Sequence, residues 1–173
     1  MKHVILLVGP KGSGKSTIGT LLETRLDIRF VRVEPIFLEL RGILDPAHPE
    51  FERRGYEAVL SRLTAELNLV DTVCFETTGA SRELEPALGE LARVSTLLIV
   101  QVICDLDECK ERIRGRDSSI HIPVSDDQVD RINAVASRVE LPWAARIDNR
   151  GEFNPELIVN VVRRLLSDSP KGA

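Results

Sequence analysis

Near the amino end, Gly9-Pro10-Lys11-Gly12-Ser13-Gly14-Lys15-Ser16-Thr17 fits the pattern G-x-x-x-x-G-K-[ST]. These residue types imply a chemistry. Glycines let main-chain N–H groups turn inward and approach phosphate oxygens. A helix that starts where the run ends adds unsatisfied donors and a partial positive charge. Lys15 can reach the β- and γ-phosphates of a nucleoside triphosphate, and Ser16 can offer its hydroxyl to Mg²⁺. Gly9, Lys11, Gly12, Ser13, Gly14, Lys15, Ser16 and Thr17 are therefore the expected nucleotide-binding residues. Further along, Glu34 and Glu76 each follow an apolar run, and Arg112 and Arg116 stand four apart on one predicted helix face.

The elements that must position these groups follow from periodicity. Val4-Ile5-Leu6-Leu7-Val8 is a continuous apolar run, as expected of a parallel strand covered on both faces. Ile18, Leu21, Leu22 and Leu26 then keep helical spacing. Phe30 to Val33 reads as a second strand ended by Pro35, and Arg41 to Pro49 as loop. Tyr56, Val59, Leu60, Leu63 and Leu67 share one helix face. Thr72 to Phe75 is the third strand, and Glu83 to Leu91 a short helix capped by Ser81. Ser95 to Cys104 is the most apolar strand. Asp105 caps a helix running to Arg116, Asp117 to Pro123 is loop, and Ser125 caps a helix ending near Val139. Ala144 to Ile147 forms a last strand, and Leu157, Ile158, Val161, Val162 and Leu165 mark a final helix. Strands alternating with helices predict an α/β fold with a parallel sheet.

The phosphate motif in its strand–loop–helix setting resembles the P-loop kinases of small molecules and nucleic-acid ends. These are the shikimate and gluconate kinase group, nucleoside and nucleotide kinases, and polynucleotide-kinase-like domains. The resemblance implies a three-layer α/β/α P-loop NTPase fold with about five parallel strands and a helical lid. It implies a single kinase-like domain over residues 1–173, with a lid insertion at about 112–127. It also implies ATP with Mg²⁺ as phosphoryl donor and a small-molecule or nucleotide acceptor.

The resemblance further implies roles for residues. Glu34, at the end of the second strand, would stand where the acceptor binds and take or orient its hydroxyl proton. Glu76 looks like a Walker-B acid, holding Mg²⁺ with Ser16 or orienting the nucleophile. Cys109 to Asp117 resembles a lid entry in which Arg112 and Arg116 neutralise charge on the moving phosphoryl group. Lys15, Glu34, Glu76, Arg112 and Arg116 are thus the expected catalytic set. Ser125-Asp126-Asp127, Leu141-Pro142 and Ile147-Asp148-Asn149 resemble the polynucleotide-kinase-like branch, which places Asn149, Arg150 and Gly151 near the adenine. His121 is expected to be an exposed lid histidine, and Trp143 and Tyr56 packing residues. The segment Glu34 to Tyr56 is expected to build the acceptor site, with Arg41, or Arg53 and Arg54, able to grip a carboxylate or phosphate.

Composition bounds the alternatives. The 173 residues are 43% hydrophobic and 29% charged, enough to bury a core. A net charge of −4 argues against a membrane-surface binder and against long nucleic acid as partner. No apolar run reaches the roughly 18 residues of a membrane helix. Cys74, Cys104 and Cys109 are too few and too irregular for a disulfide framework or zinc site and read as core thiols of a cytoplasmic protein. A regulatory NTPase switch, or a kinase relative that only binds nucleotide, stays open. Glu76-x-x-Gly79 is faintly similar to the D-x-x-G of GTPases, but no Asn-Lys-x-Asp guanine motif occurs.

Overall fold

The computed structural model describes residues 2–115 and 125–169. Its strands are β1 (His3–Val8), β2 (Arg29–Val31), β3 (Thr72–Thr77), β4 (Thr96–Ile103) and β5 (Ala145–Asp148). Its helices are α1 (Lys15–Leu26), α2 (Val33–Arg41), α3 (Phe51–Leu67), α4 (Leu84–Ala92), α5 (Leu106–Arg114), α6 (Asp126–Ala136) and α7 (Pro155–Asp168). The strands form one all-parallel sheet in the order β2-β3-β1-β4-β5. The central strand, β1, is paired on both edges by β3 and β4, and helices cover both of its faces. Val4, Ile5, Leu6 and Leu7 are fully buried, which explains an apolar run with no alternation.

Two cores sandwich the sheet. On one face Val4, Leu6, Val8 and Phe75 pack against Val59 and Leu63 of α3 and Leu84 and Leu91 of α4. On the other, Ile5, Leu7, Cys74 and Val100 pack against Ile18 and Leu22 of α1 and Ile158 and Val162 of α7. This is the expected three-layer arrangement. The alternation along β3 also has consequences for the site, since Glu76 follows Cys74 toward α1 and Thr77 follows Phe75 toward α3.

The second strand is shorter than the sequence predicts. It stops at Val31, and Arg32 is the extended residue before α2. Pro35 does not end a strand; it sits in the first turn of α2, where a missing N–H costs no helical hydrogen bond. Glu34 occupies the same turn and complements the helix dipole. Ser81 is not the cap residue of α4, which begins after Glu83, although its hydroxyl accepts the Glu83 N–H at 3.2 Å. Asp105 stands at the cap of α5 without a side-chain cap bond. Ser125 does cap α6, exchanging backbone bonds with Gln128 in a capping box. The lid expected at about 112–127 would begin in the last turn of α5 and end in the first turn of α6, and its middle, with Arg116 and His121, lies outside the described residues. Among the described residues no helix is long and apolar enough to cross a membrane.

All three cysteines are free and buried. Burial pushes the Cys104 thiol up to about 12 and raises Cys74 and Cys109 as well. A protonated, enclosed thiol is a poor nucleophile. Native protein at pH 8 should therefore consume almost no disulfide-exchange reagent in minutes, and denatured protein should release three thiols. A fast-reacting native thiol would refute this packing.

Candidate active site

The phosphate loop emerges from β1 and turns directly into α1. Two positions require glycine. Gly12 has φ +93°, and a Cβ there would meet the Cys109 carbonyl oxygen of α5 at 2.3 Å. Gly14 has φ +91°, and its Cβ would meet the Asn149 side-chain amide at 2.4 Å. Both needs, a left-handed backbone and a close neighbour, exclude any side chain. Gly9 and Ser13 are buried with the loop, and Thr17 is exposed on the first turn of α1.

A loop that turns its N–H groups inward presents carbonyls outward, and buried carbonyls need donors. Buried Lys15 donates to the carbonyls of Gly9 at 2.9 Å and Pro10 at 2.8 Å. Asn149, 3% exposed just past β5, donates to the Ser13 carbonyl at 2.8 Å. Asn133, 1% exposed on α6, accepts the Lys11 N–H at 2.7 Å and donates to the Lys11 carbonyl at 3.1 Å. The side chain of Asn149 is thus a brace under the loop, where the resemblance implied a base contact. Asn133 was not anticipated. Its only signal in the sequence is an amide on the buried stripe Val129, Asn133, Ala136.

Two carboxylates stand against the loop. Glu76, opposite Leu7 in the β1–β3 ladder, accepts the Ser16 hydroxyl at 2.7 Å. Glu34 faces the loop from α2, with its carboxylate 3.5 Å from the Lys11 ammonium. A cleft of about 320 Å³ opens between these groups. Lys11, Gly12, Gly14, Lys15 and Ser16 line one side, and Glu34, Phe37, Glu52 and Tyr56 the other. Thr77 and Ile132 also contribute to its walls. The Tyr56 hydroxyl lies 3.1 Å from the Thr77 hydroxyl, and burial raises its pKa, so it stays protonated at neutral pH. Tyr56 therefore packs in the core, as expected, and also shows its polar tip to the cleft.

Arg112, expected as a lid clamp, stands at the end of α5. Its guanidinium is held by Glu108, one turn earlier, and by the Asn149 carbonyl at 2.9 Å. Glu108 in turn accepts the Gly151 N–H, and that bond together with Arg112 keeps its carboxyl below the usual range. Arg112 consequently stands beside Gly14 and the loop after β5, and does not line the cleft. Arg150 is exposed and forms a two-point pair with Asp148, whose carboxyl falls to about 2 beside the guanidinium.

The donor set suits a magnesium–nucleotide. Gly12, Gly14 and Ser16 of the loop line an open cleft, a lysine is folded against the loop, and a hydroxyl and a carboxylate sit in mutual contact at its rim. Among the described residues no cluster of His, Cys, Asp or Glu could hold a metal unaided.

Removing the Asn133 amide takes the partner from two half-buried main-chain groups of Lys11, a loss of roughly 1–3 kcal/mol in all. Asn133→Ala should lower Tm by roughly 3–10 °C in a domain of this size and weaken nucleotide binding. Calorimetry of folding and of ATP binding checks both, and unchanged ATP affinity would show that the brace is dispensable.

The chain matches the model of the AAA domain family over residues 4–139. The shikimate kinase of Vibrio campbellii is 40% identical over 74 residues, covering 40% of this chain and 43% of that enzyme. This match thus spans less than half of the Vibrio enzyme. The shikimate kinase of Aquifex aeolicus is 29% identical over 175 residues, covering 97% of this chain and 98% of that one. The crystal structure of shikimate kinase from Aquifex aeolicus superposes with a TM-score of 0.63 at 22% identity, over 98% of this chain and 99% of that one. A sugar kinase from Janibacter sp. HTCC2649 superposes with a TM-score of 0.68 at 15% identity, over 98% and 96%. With its strand order, its braced phosphate loop and these matches, the chain belongs to the AAA domain family, among the P-loop kinases.

Proposed function

We propose that the protein transfers the γ-phosphate of Mg–ATP to a hydroxyl of a small molecule bound in the cleft. The observation that carries this reading is the cleft itself. Phosphate-loop residues line one side of it, and a carboxylate, Glu34, stands across from them. Donor and acceptor can then meet in line within one cleft.

The roles follow from position. Main-chain N–H groups of residues 12–16 and the start of α1 receive the β- and γ-phosphates. Lys15 exchanges its loop carbonyls for phosphate oxygens and neutralises charge as it shifts toward the leaving group. Ser16 and Glu76 would hold Mg²⁺, which offsets negative charge between the phosphates. Glu34 accepts the proton of the acceptor hydroxyl as its oxygen bonds to the γ-phosphorus and the bond to ADP breaks. Arg112 orders the loop that follows β5 and so acts on nucleotide binding. Arg116 is proposed as the residue that reaches the moving phosphoryl group, as the family resemblance implies.

Acceptor-dependent ADP formation tests the reading directly. Lys15→Ala should lower kcat by ~10²–10³-fold, the size expected for losing a donor to developing charge. Glu34→Gln should lower kcat by ~10²–10⁴-fold with ATP binding nearly intact, as for loss of a general base. Arg112→Ala should raise the KM for ATP more than it lowers kcat. Equal ATP consumption with and without every acceptor would favour the NTPase-switch reading. Tight binding without turnover would favour a binding-only protein.

A further inference from the structure

The acceptor side of the cleft has a definite charge character. Resting on the phosphotransfer reading above, we infer that the acceptor is an uncharged or cationic polyhydroxyl molecule, and not a carboxylate or a phosphate ester. The wall facing the phosphate loop carries Glu34 and Glu52 with the hydroxyls of Tyr56, Thr77 and Ser81, backed by the Phe37 ring. Glu52 takes the Ser81 hydroxyl at 2.9 Å, and Phe37 meets Tyr56 edge-on at 6.2 Å between centroids. Among the described residues the cations lining the cleft are Lys15, folded into the phosphate loop, and Lys11, whose ammonium is already committed to the Glu34 carboxylate at 3.5 Å.

The arginines that the sequence offered for an anionic acceptor are engaged elsewhere. Glu52 and Tyr56 are one turn apart and face the cleft; Arg53 and Arg54 are rotated onto the solvent side of α3. There Arg53 pairs with Glu50 at 2.6 Å and with Glu57 at 2.5 Å, and Arg54 pairs with Glu50 at 3.5 Å. Arg41 is exposed in the last turn of α2 and does not line the cleft. Arg32 reaches away to Thr20 at 2.9 Å and lies over the Phe30 ring.

An anion placed on this wall would face the exposed Glu52 carboxylate and a Glu34 whose neighbouring cation, Lys11, is already engaged, and the phosphates of bound ATP would add to the repulsion. Hydroxyl groups have the opposite fit. They donate to Glu34 and Glu52, exchange bonds with Tyr56, Thr77 and Ser81, and lay their C–H faces against Phe37. An ammonium group gains a pairing partner in Glu52. The named acceptors of the kinase relatives thus need not carry over, because the fold supplies the donor half of the site and α2 and α3 supply the acceptor half.

The test is a panel of hydroxyl compounds matched in skeleton and differing in charge, including glucose, glucosamine and gluconate, adenosine and AMP, and shikimate. Acceptor-dependent ADP formation is measured for each, with binding of AMP-PNP and Mg²⁺ followed separately by calorimetry. The best acceptor should be neutral or cationic, with kcat/KM at least about tenfold above any anion, the discrimination one charge-assisted contact supplies. Glu52→Gln should cut kcat/KM for that acceptor by about tenfold at unchanged ATP affinity. A carboxylate or phosphate ester as best acceptor would overturn the inference, as would an inert neutral and cationic set in protein that binds AMP-PNP, or an unaffected Glu52→Gln. Failure to bind AMP-PNP would instead overturn the phosphotransfer reading.

Discussion

The side-chain amides of Asn133 and Asn149 close on carbonyls of the phosphate loop, and Lys15 closes on two more. A loop with inward N–H groups holds its shape only if its outward carbonyls are satisfied, because each buried polar group left unpaired costs about 1–3 kcal/mol. Asn149 comes from the end of β5 and Asn133 from α6. The most distant strand in the chain order and a late helix therefore support a nine-residue segment at the start. The rest of the structure can be understood as the scaffold that delivers these donors.

The parallel sheet is the means of delivery. Parallel strands put all their carboxyl ends on one edge, so the loop after β1, the acid on β3 and the amide after β5 meet there. Alternation along β3 then divides labour. Glu76 turns toward α1 and meets Ser16, and the next residue, Thr77, turns toward α3 and meets Tyr56. One step of a strand separates the metal side of the cleft from its acceptor side. Lys11 spans the two, with its backbone clasped by Asn133 and its ammonium beside Glu34.

Much of this was legible in the sequence. The apolar run of β1, the glycine loop and the helical spacing of α1 are local patterns, and the structure reproduces each. Ser125 was a readable cap because its partner Gln128 lies only three residues on. Errors arose where a residue has two lawful uses. Proline ends a strand or starts a helix, and Pro35 starts α2 because the chain turns at Arg32. Where Arg112 stands was not written in any local pattern: Glu108 and the Asn149 carbonyl hold it by the loop after β5, beside Gly14.

By itself, then, the sequence determined the elements and the donor chemistry, since a nucleotide loop is written in consecutive residues and a strand or helix in a short period. Which side chains share a space was decided only by folding. Glu34, Glu52 and Glu76 lie far apart along the chain and meet in one cleft, and Arg53, next to Glu52, does not join them. A helix rotates neighbouring side chains by about 100°, so adjacency in sequence is not adjacency in space, and the charge of the acceptor wall could not be read before the helices were placed.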